Sequence, residues 1–160
     1  SGALVPDGTD LYLISDAGSD EAVKLLYSEL AKIGLTPNQG YFGHKVFDAW
    51  KSTRGKLEQV RQIDAVELRR SARDKSVQVV DVRGPDEWRR GHLPGAIHIP
   101  LAALPERIGE VNASAPIVIH CKGGSRAAIA ASFLQARGIT NVSSLVDGYE
   151  GWVKRGFEVE

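Results

Sequence analysis

The stretch of this chain best equipped for chemistry is His120-Cys121-Lys122-Gly123-Gly124-Ser125-Arg126. It holds the one cysteine of the sequence, with two glycines and two cations close behind it. A cysteine acts as a nucleophile through its thiolate, and a helix N-terminus with Lys or Arg nearby favours that form. The free N–H groups and partial positive charge of such a terminus attract anions. Gly123 and Gly124 can adopt the φ > 0 or tightly curved conformations that turn successive N–H groups inward as a nest. Such a loop would cradle the sulfur of Cys121 and a second anionic group between Lys122 and Arg126. The plainer reading, a lone cysteine as a small buried hydrophobe, accounts for neither the paired glycines nor the flanking cations.

The flanking sequence supplies the elements that would hold this loop. Ala115-Pro116-Ile117-Val118-Ile119 reads as a short buried strand, and Arg126 to Arg137 as a helix stopped by Gly138, with Ala127, Ala128, Ala130, Ala131 and Leu134 for close packing. Cys121 then falls in the turn between them. Upstream, Asp64 with Glu67 has a capping-box pattern, Val77 to Val82 is a β-branched strand, and Pro85-Asp86-Glu87-Trp88 begins a short helix. Pro94-Gly95 marks a turn, Ala96 to Ile99 another strand, and Leu101 to Ile108 a helical stretch. Strands alternating with helices imply right-handed crossovers and a mostly parallel sheet covered on both faces. Sites in such sheets lie beyond the carboxyl ends of strands, where Asp81, Cys121 and Asp147 all fall. Asp81 and Arg83 read as an internal ion pair fixing a loop, and His92 as ordering its own loop. Trp88 and Trp152 read as packing aromatics. His120 faces the opposite side of its strand from Cys121 and is not expected to act as a general base.

Four motifs in order carry a family resemblance: Asp81-Val82-Arg83 with Glu87-Trp88, Gly91-His92-Leu93-Pro94-Gly95-Ala96, the Cys121 to Arg126 loop, and Gly148-Tyr149-Glu150-Gly151-Trp152. From about Ile63 to its C-terminus the chain resembles the rhodanese family of sulfurtransferases. The resemblance implies that Cys121 accepts a sulfane sulfur as a persulfide and passes it to a nucleophile. Lys122, Gly123, Gly124, Ser125 and Arg126 would be its substrate-binding cradle, with Asp81 and Arg83 in support. Cysteine phosphatases and arsenate reductases are the rival enzyme class; they place one residue more between Cys and Arg to close around a tetrahedral anion. A non-catalytic binding module is the rival outside enzymology. Thiosulfate-using members of the family often carry Arg after the cysteine, where this chain has Lys122. Lys is a point charge without Arg's bidentate fork, so the donor is left between thiosulfate and a low-molecular-weight persulfide, and the acceptor between cyanide and a thiol.

Composition narrows the partners. Across 160 residues, 20 basic side chains balance 20 acidic ones, so neither nucleic acid nor a membrane is expected as partner. A single cysteine rules out an internal disulfide, and no apolar stretch approaches the roughly 20 residues that cross a bilayer. Ser1-Gly2-Ala3 does not begin a secretory signal, and a reducing, cytoplasmic setting is expected. The sequence contains no methionine, as expected of a piece of a longer protein. His44, His92, His98 and His120 show no His-x-His spacing, and neither metal nor cofactor is expected.

The first part of the chain repeats the last. Asp10 to Ser15 reads as a strand, Asp16 to Asp20 as a loop, and Glu21 to Ile33 as a helix with a stripe at Val23, Leu26, Leu30 and Ile33, stopped by Gly34. Pro6-Asp7-Gly8 reads as a turn. Leu11 to Ser15 falls on Pro116 to His120, Asp16 on Cys121, Glu21 on Arg126, and Phe47-Asp48-Ala49-Trp50 on Tyr149-Glu150-Gly151-Trp152. We therefore expect an α/β, rhodanese-like parallel sheet flanked by helices over residues 62–160, preceded over residues 1–60 by a partial, catalytically degenerate copy in which Asp20 caps the helix. Residues 51–62 read as a linker. A degenerate copy before an intact one resembles fusions that begin with a metallo-β-lactamase-fold domain, which implies such a domain upstream in the parent chain. A half-sheet with open edges also implies docking or a homodimer.

Overall fold

The computed structural model describes residues 5, 9–16, 19–32, 34–35 and 40–160; the turn expected at Pro6-Asp7-Gly8 and Ile33, expected to end the apolar stripe of the first helix, lie outside these. The chain divides into two compact units, Ser1–Gln59 and Val60–Glu160.

In the first unit, β1 (Leu13–Ile14) is followed by α1 (Asp20–Ala31), β2 (Tyr41–Phe42) and α2 (Val46–Arg54). The two strands pair in parallel, Leu13 opposite Tyr41 and Ile14 opposite Phe42. The cap of α1 is Ser19 rather than the expected Asp20. Ser19 has extended backbone, and its hydroxyl accepts from the N–H of Ala22 at 3.3 Å. Asp20 stands one residue inside, where its carboxylate accepts the Tyr41 hydroxyl at 3.2 Å. Along the expected stripe Val23 is buried, but Leu26 is exposed, as are Tyr12, Ile14, Tyr41, Phe42 and Trp50. The expected linker also shrinks. Helix α2 runs to Arg54 with Lys51 and Arg54 in its last turn, where cations suit the carbonyl end of the helix, and it stops at Gly55 with φ +96°.

The second unit contains β3 (Arg61–Ile63), α3 (Ala65–Arg73), β4 (Gln78–Asp81), α4 (Pro85–Arg89), β5 (Ile97–His98), α5 (Leu104–Arg107), β6 (Ile117–His120), α6 (Ser125–Gln135), β7 (Val142–Leu145) and α7 (Gly148–Lys154). Short 3-10 turns flank α5. The five strands form one sheet in the order β3-β7-β6-β4-β5, every pairing parallel. This is the parallel sheet flanked by helices that the alternation of elements implies. Asp64 caps α3 by accepting the N–H groups of Val66 and Glu67, each at 2.8 Å, and these bonds hold its carboxyl below the usual range. Glu67 turns to Arg61 at 2.5 Å.

Successive strand side chains point to opposite faces, and the core divides accordingly. Val80, Ile117 and Ile119 join Leu104, Ala127, Ala130, Ala131 and Leu134 on one face. Val79 and Val118 join Ile63, Leu68, Leu145 and Trp152 on the other. Three of the four buried side chains of α6 are alanines, so most of the helix face against the sheet presents only methyl groups to the strand that delivers the cysteine. Among the described residues no helix is long and apolar enough to cross a membrane.

Candidate active site

Strand β6 ends at His120, and Cys121 follows on the face that carries Ile117 and Ile119. The residue is 1% exposed. Its sulfur accepts the N–H of Gly124 at 3.1 Å, an amide at the N-terminus of α6, where the first N–H groups have no intrahelical acceptor. Gly124 has φ +111°; Gly123, expected to share that role, does not lie in the left-handed region, so one glycine makes the turn.

The loop is held from the other side by α7. The N–H groups of Tyr149 and Glu150 donate to the carbonyls of Cys121 and Lys122 at 2.8 and 3.1 Å. Helix α7 thereby draws two loop carbonyls outward, which leaves the amide side of the loop to the sulfur. The approach is close enough to require glycine at its first residue. A Cβ on Gly148, whose φ is +54°, would stand 2.3 Å from the Cys121 carbonyl oxygen and 2.6 Å from that of Lys122.

Both loop cations are compensated. Arg126 forms a two-pronged pair with Glu87, its Nη1 and Nη2 donating at 2.6 and 2.8 Å. The guanidinium holds the Glu87 carboxyl down at about 2, and the carboxylate raises Arg126 above its usual value. Glu87 also accepts the N–H of Gly84 at 3.2 Å, fixing the start of α4. Lys122 pairs with Glu150 at 3.3 Å on the surface. The sequence suggests two free cations around an anion; the structure holds a rim of nearly balanced charge. Ser125 opens α6.

Asp81 and Arg83 lie under the loop, at the end of β4. Arg83 donates to both carboxylate oxygens of Asp81 through Nε, and its Nη2 donates to Asp81 Oδ2 at 2.6 Å and to the Gly91 carbonyl at 2.8 Å. Its guanidinium lies over the Tyr149 ring, 3.9 Å from the centroid. The buried ion pair thus carries the residue whose N–H holds the Cys121 carbonyl. His120, in register with Asp81, is fully buried, and burial pushes it down to about 4, so it is neutral near pH 7. Its Nε2 lies 3.6 Å from Asp81 Oδ2 without a hydrogen-bond partner. Trp88 stacks between His92 and His98, with centroids 3.6 and 4.7 Å away, and Trp152 is core. Among the described residues no group of three or more His, Cys, Asp and Glu side chains is placed to hold a metal ion.

Sequence reasoning assigned no role to Glu87, Gly148, Tyr149 or Glu150. All four stand in the motifs quoted above, but what they touch, 39 residues away in the case of Glu87 and Arg126, is set by strand order.

Comparison with known proteins follows the same outline. Residues 64–155 match the model of the Rhodanese-like domain family. A sulfurtransferase of Allochromatium vinosum is 32% identical over 101 residues, which is 62% of this chain and 94% of that protein. YrkF of Bacillus subtilis is 35% identical over 79 residues, 49% of this chain and 43% of its own, so the chain spans less than half of that relative. The crystal structure of a rhodanese-related protein from Thermoplasma volcanium superposes with a TM-score of 0.59 at 30% identity, covering 62% of this chain and 97% of that one.

Proposed function

The chain belongs to the rhodanese-like domain family, and we propose that it is a sulfurtransferase with Cys121 as the sulfur carrier. The Cys121 thiolate attacks the outer sulfur of thiosulfate or of a low-molecular-weight persulfide, in the manner of thiol–disulfide exchange. One S–S bond forms as another breaks, and sulfite or a thiolate leaves. A thiol or cyanide then attacks the outer sulfur of the Cys121 persulfide and regenerates the thiolate. No external oxidant or reductant enters either half.

The observation that carries this reading is the Gly124 N–H aimed at Cys121 Sγ at 3.1 Å from the start of α6. Preorganised donors stabilise charge where it develops, on the thiolate before transfer and on the persulfide after it. Because Glu87 and Glu150 occupy Arg126 and Lys122, the roles we assign to these cations are positional: Arg126 ties the loop to α4 and Lys122 ties it to α7. Asp81 and Arg83 support the loop from below.

We read the first unit as part of a degenerate copy in a longer parent chain with a metallo-β-lactamase-fold domain upstream. Support for the copy comes from strand register. The internal match that sets Leu13 on Val118 and, carried back from Phe47 on Tyr149, sets Tyr41 on Ser143 relates two pairs with the same partnership, Leu13 with Tyr41 and Val118 with Ser143. Asp16 takes the place of the nucleophile there, so that copy has no sulfur chemistry. Its exposed Tyr12, Ile14, Tyr41, Phe42 and Trp50 favour a homodimer, which a light-scattering mass would check.

The test of the carrier reading is intact mass after donor treatment. The protein should gain the mass of one sulfur atom, lose it to cyanide as thiocyanate, and do neither as Cys121→Ser. Thiocyanate production by the Ser variant, or hydrolysis of an aryl phosphate by the unmodified protein, would refute the assignment.

A further inference from the structure

One buried titratable side chain has no part in the transfer described above. His120 ends β6 with its ring on the face of Val118, opposite the face that carries the Cys121 sulfur. The residue is 0% exposed, and its Nε2 is the one buried side-chain nitrogen or oxygen without a hydrogen-bond partner among the described residues. Asp81 Oδ2 stands 3.6 Å from Nε2, and the Cys121 carbonyl oxygen stands 3.5 Å from Nδ1. The imidazole therefore sits between a carboxylate already held by Arg83 and the carbonyl that α7 holds through the Tyr149 N–H at 2.8 Å.

A neutral imidazole has one N–H and one lone pair. With the proton on Nδ1, the Nε2 lone pair faces the Asp81 carboxylate; with it on Nε2, the Nδ1 lone pair faces the Cys121 carbonyl. Neither tautomer suits both oxygens, and burial makes such a mismatch costly. The imidazolium donates at both nitrogens and suits both. Of the groups facing the ring, Asp81 and the Cys121 carbonyl favour the proton, whereas desolvation opposes it most and Arg83 and His92 oppose it further. A negative charge on the neighbouring sulfur adds to the side of Asp81. His120 and Cys121 are 0% and 1% exposed, so solvent screens that attraction little.

We propose that His120 is a proton-linked positioning residue of the Cys121 loop: negative charge on the Cys121 sulfur and a proton on the buried imidazole favour each other, with Nδ1–H donating to the Cys121 carbonyl and Nε2–H to Asp81. The proposal rests on the sulfur-carrier reading and adds to it a response to acid. The proton comes from solvent, and no bond to sulfur forms or breaks. A second donor on the Cys121 carbonyl acts in the same sense as the Tyr149 N–H, holding the carbonyl away from the sulfur. The coupling is reciprocal. Whatever factor a sulfur anion adds to the proton affinity of His120, the imidazolium adds to the preference of Cys121 for its anionic form. The loop thus keeps a charged sulfur further into acid than it would beside a side chain that cannot titrate.

The test follows the His120 imidazole by NMR from neutral pH through its acid titration. Two states are compared: Cys121→Ser, which has no titrating sulfur, and protein loaded from thiosulfate or from the persulfide of 2-mercaptoethanol, with loading confirmed by intact mass. The midpoint in the loaded protein should lie at least about half a pH unit above that in Cys121→Ser, about threefold in proton affinity and the modest end of what a nearby opposite charge does. A second measurement is the pH profile of the loading rate. His120→Gln keeps a donor but cannot titrate, so between neutral pH and the His120 midpoint its rate should fall about twofold further than that of the unmodified protein. The NMR comparison stands whether or not the Gln variant folds. Coincident midpoints, or parallel pH profiles, would overturn the coupling and leave the carrier reading standing. Absence of any gain in mass from either donor would overturn both.

Discussion

Replacing Glu87 by Gln tests the charge balance of the loop. The carboxyl falls from 4.5 to about 2 because Arg126 sits against it, a preference for the charged form of about 3 kcal/mol at 1.36 kcal/mol per tenfold change. The two side chains are 34% and 29% exposed, and screening leaves about 1–2 kcal/mol. Gln can still accept the Gly84 N–H, so α4 keeps its start. The folded-state value lies below the unfolded one, so the pair's contribution is complete above about pH 4.5 and is lost as pH falls toward about 2. Urea unfolding of Glu87→Gln and unmodified protein should therefore differ by about 1–2 kcal/mol at pH 7, with more than half of the gap gone by pH 3. His120 takes up a proton near pH 6.5 once unfolded but only near 4 while folded, in both proteins, and the difference cancels it. A gap as wide at pH 3 as at pH 7 would show that Glu87 acts by packing and would refute the argument.

Three further outcomes follow from the same geometry. Gly148→Ala drives a methyl into the carbonyls of Cys121 and Lys122 and should cost about 3 kcal/mol in urea unfolding with at least about tenfold slower persulfide loading; unmodified stability would contradict the close approach of α7. Asp81→Asn leaves the guanidinium of Arg83, 2% exposed, without its partner and should cost about 3–5 kcal/mol, checked by the shift in urea midpoint; a change under about 1 kcal/mol would mean that the pair is solvated. His120, pushed down to about 4 by burial, should show neutral imidazole nitrogen shifts from pH 8 down to pH 6 by NMR. Titration near 6.5 would show that water reaches it.

The strand, turn and helix around Cys121 were legible because they are written locally. Three β-branched residues in a row, the cysteine, a glycine able to take φ +111° and a run of alanines each act on their immediate neighbours. The parallel sheet was legible in the alternation of elements, and the Asp81–Arg83 pair in its two-residue spacing. The Ser19 cap and the true end of α2 were less legible, since adjacent residues compete for a cap and a helix can run on through polar side chains.

The sequence by itself determined that a cysteine stands where a parallel strand hands over to a helix, because hydrophobic period, chain stiffness and turn chemistry operate over a few residues. Only the tertiary structure decided what surrounds that sulfur. Strand order brings α4 and α7 to the two sides of the loop, so Glu87 meets Arg126, Glu150 meets Lys122, and two α7 amides draw the loop carbonyls away. Electrostatic and steric forces act through space over a few ångströms, and distance along the chain does not reveal which charges will lie that close.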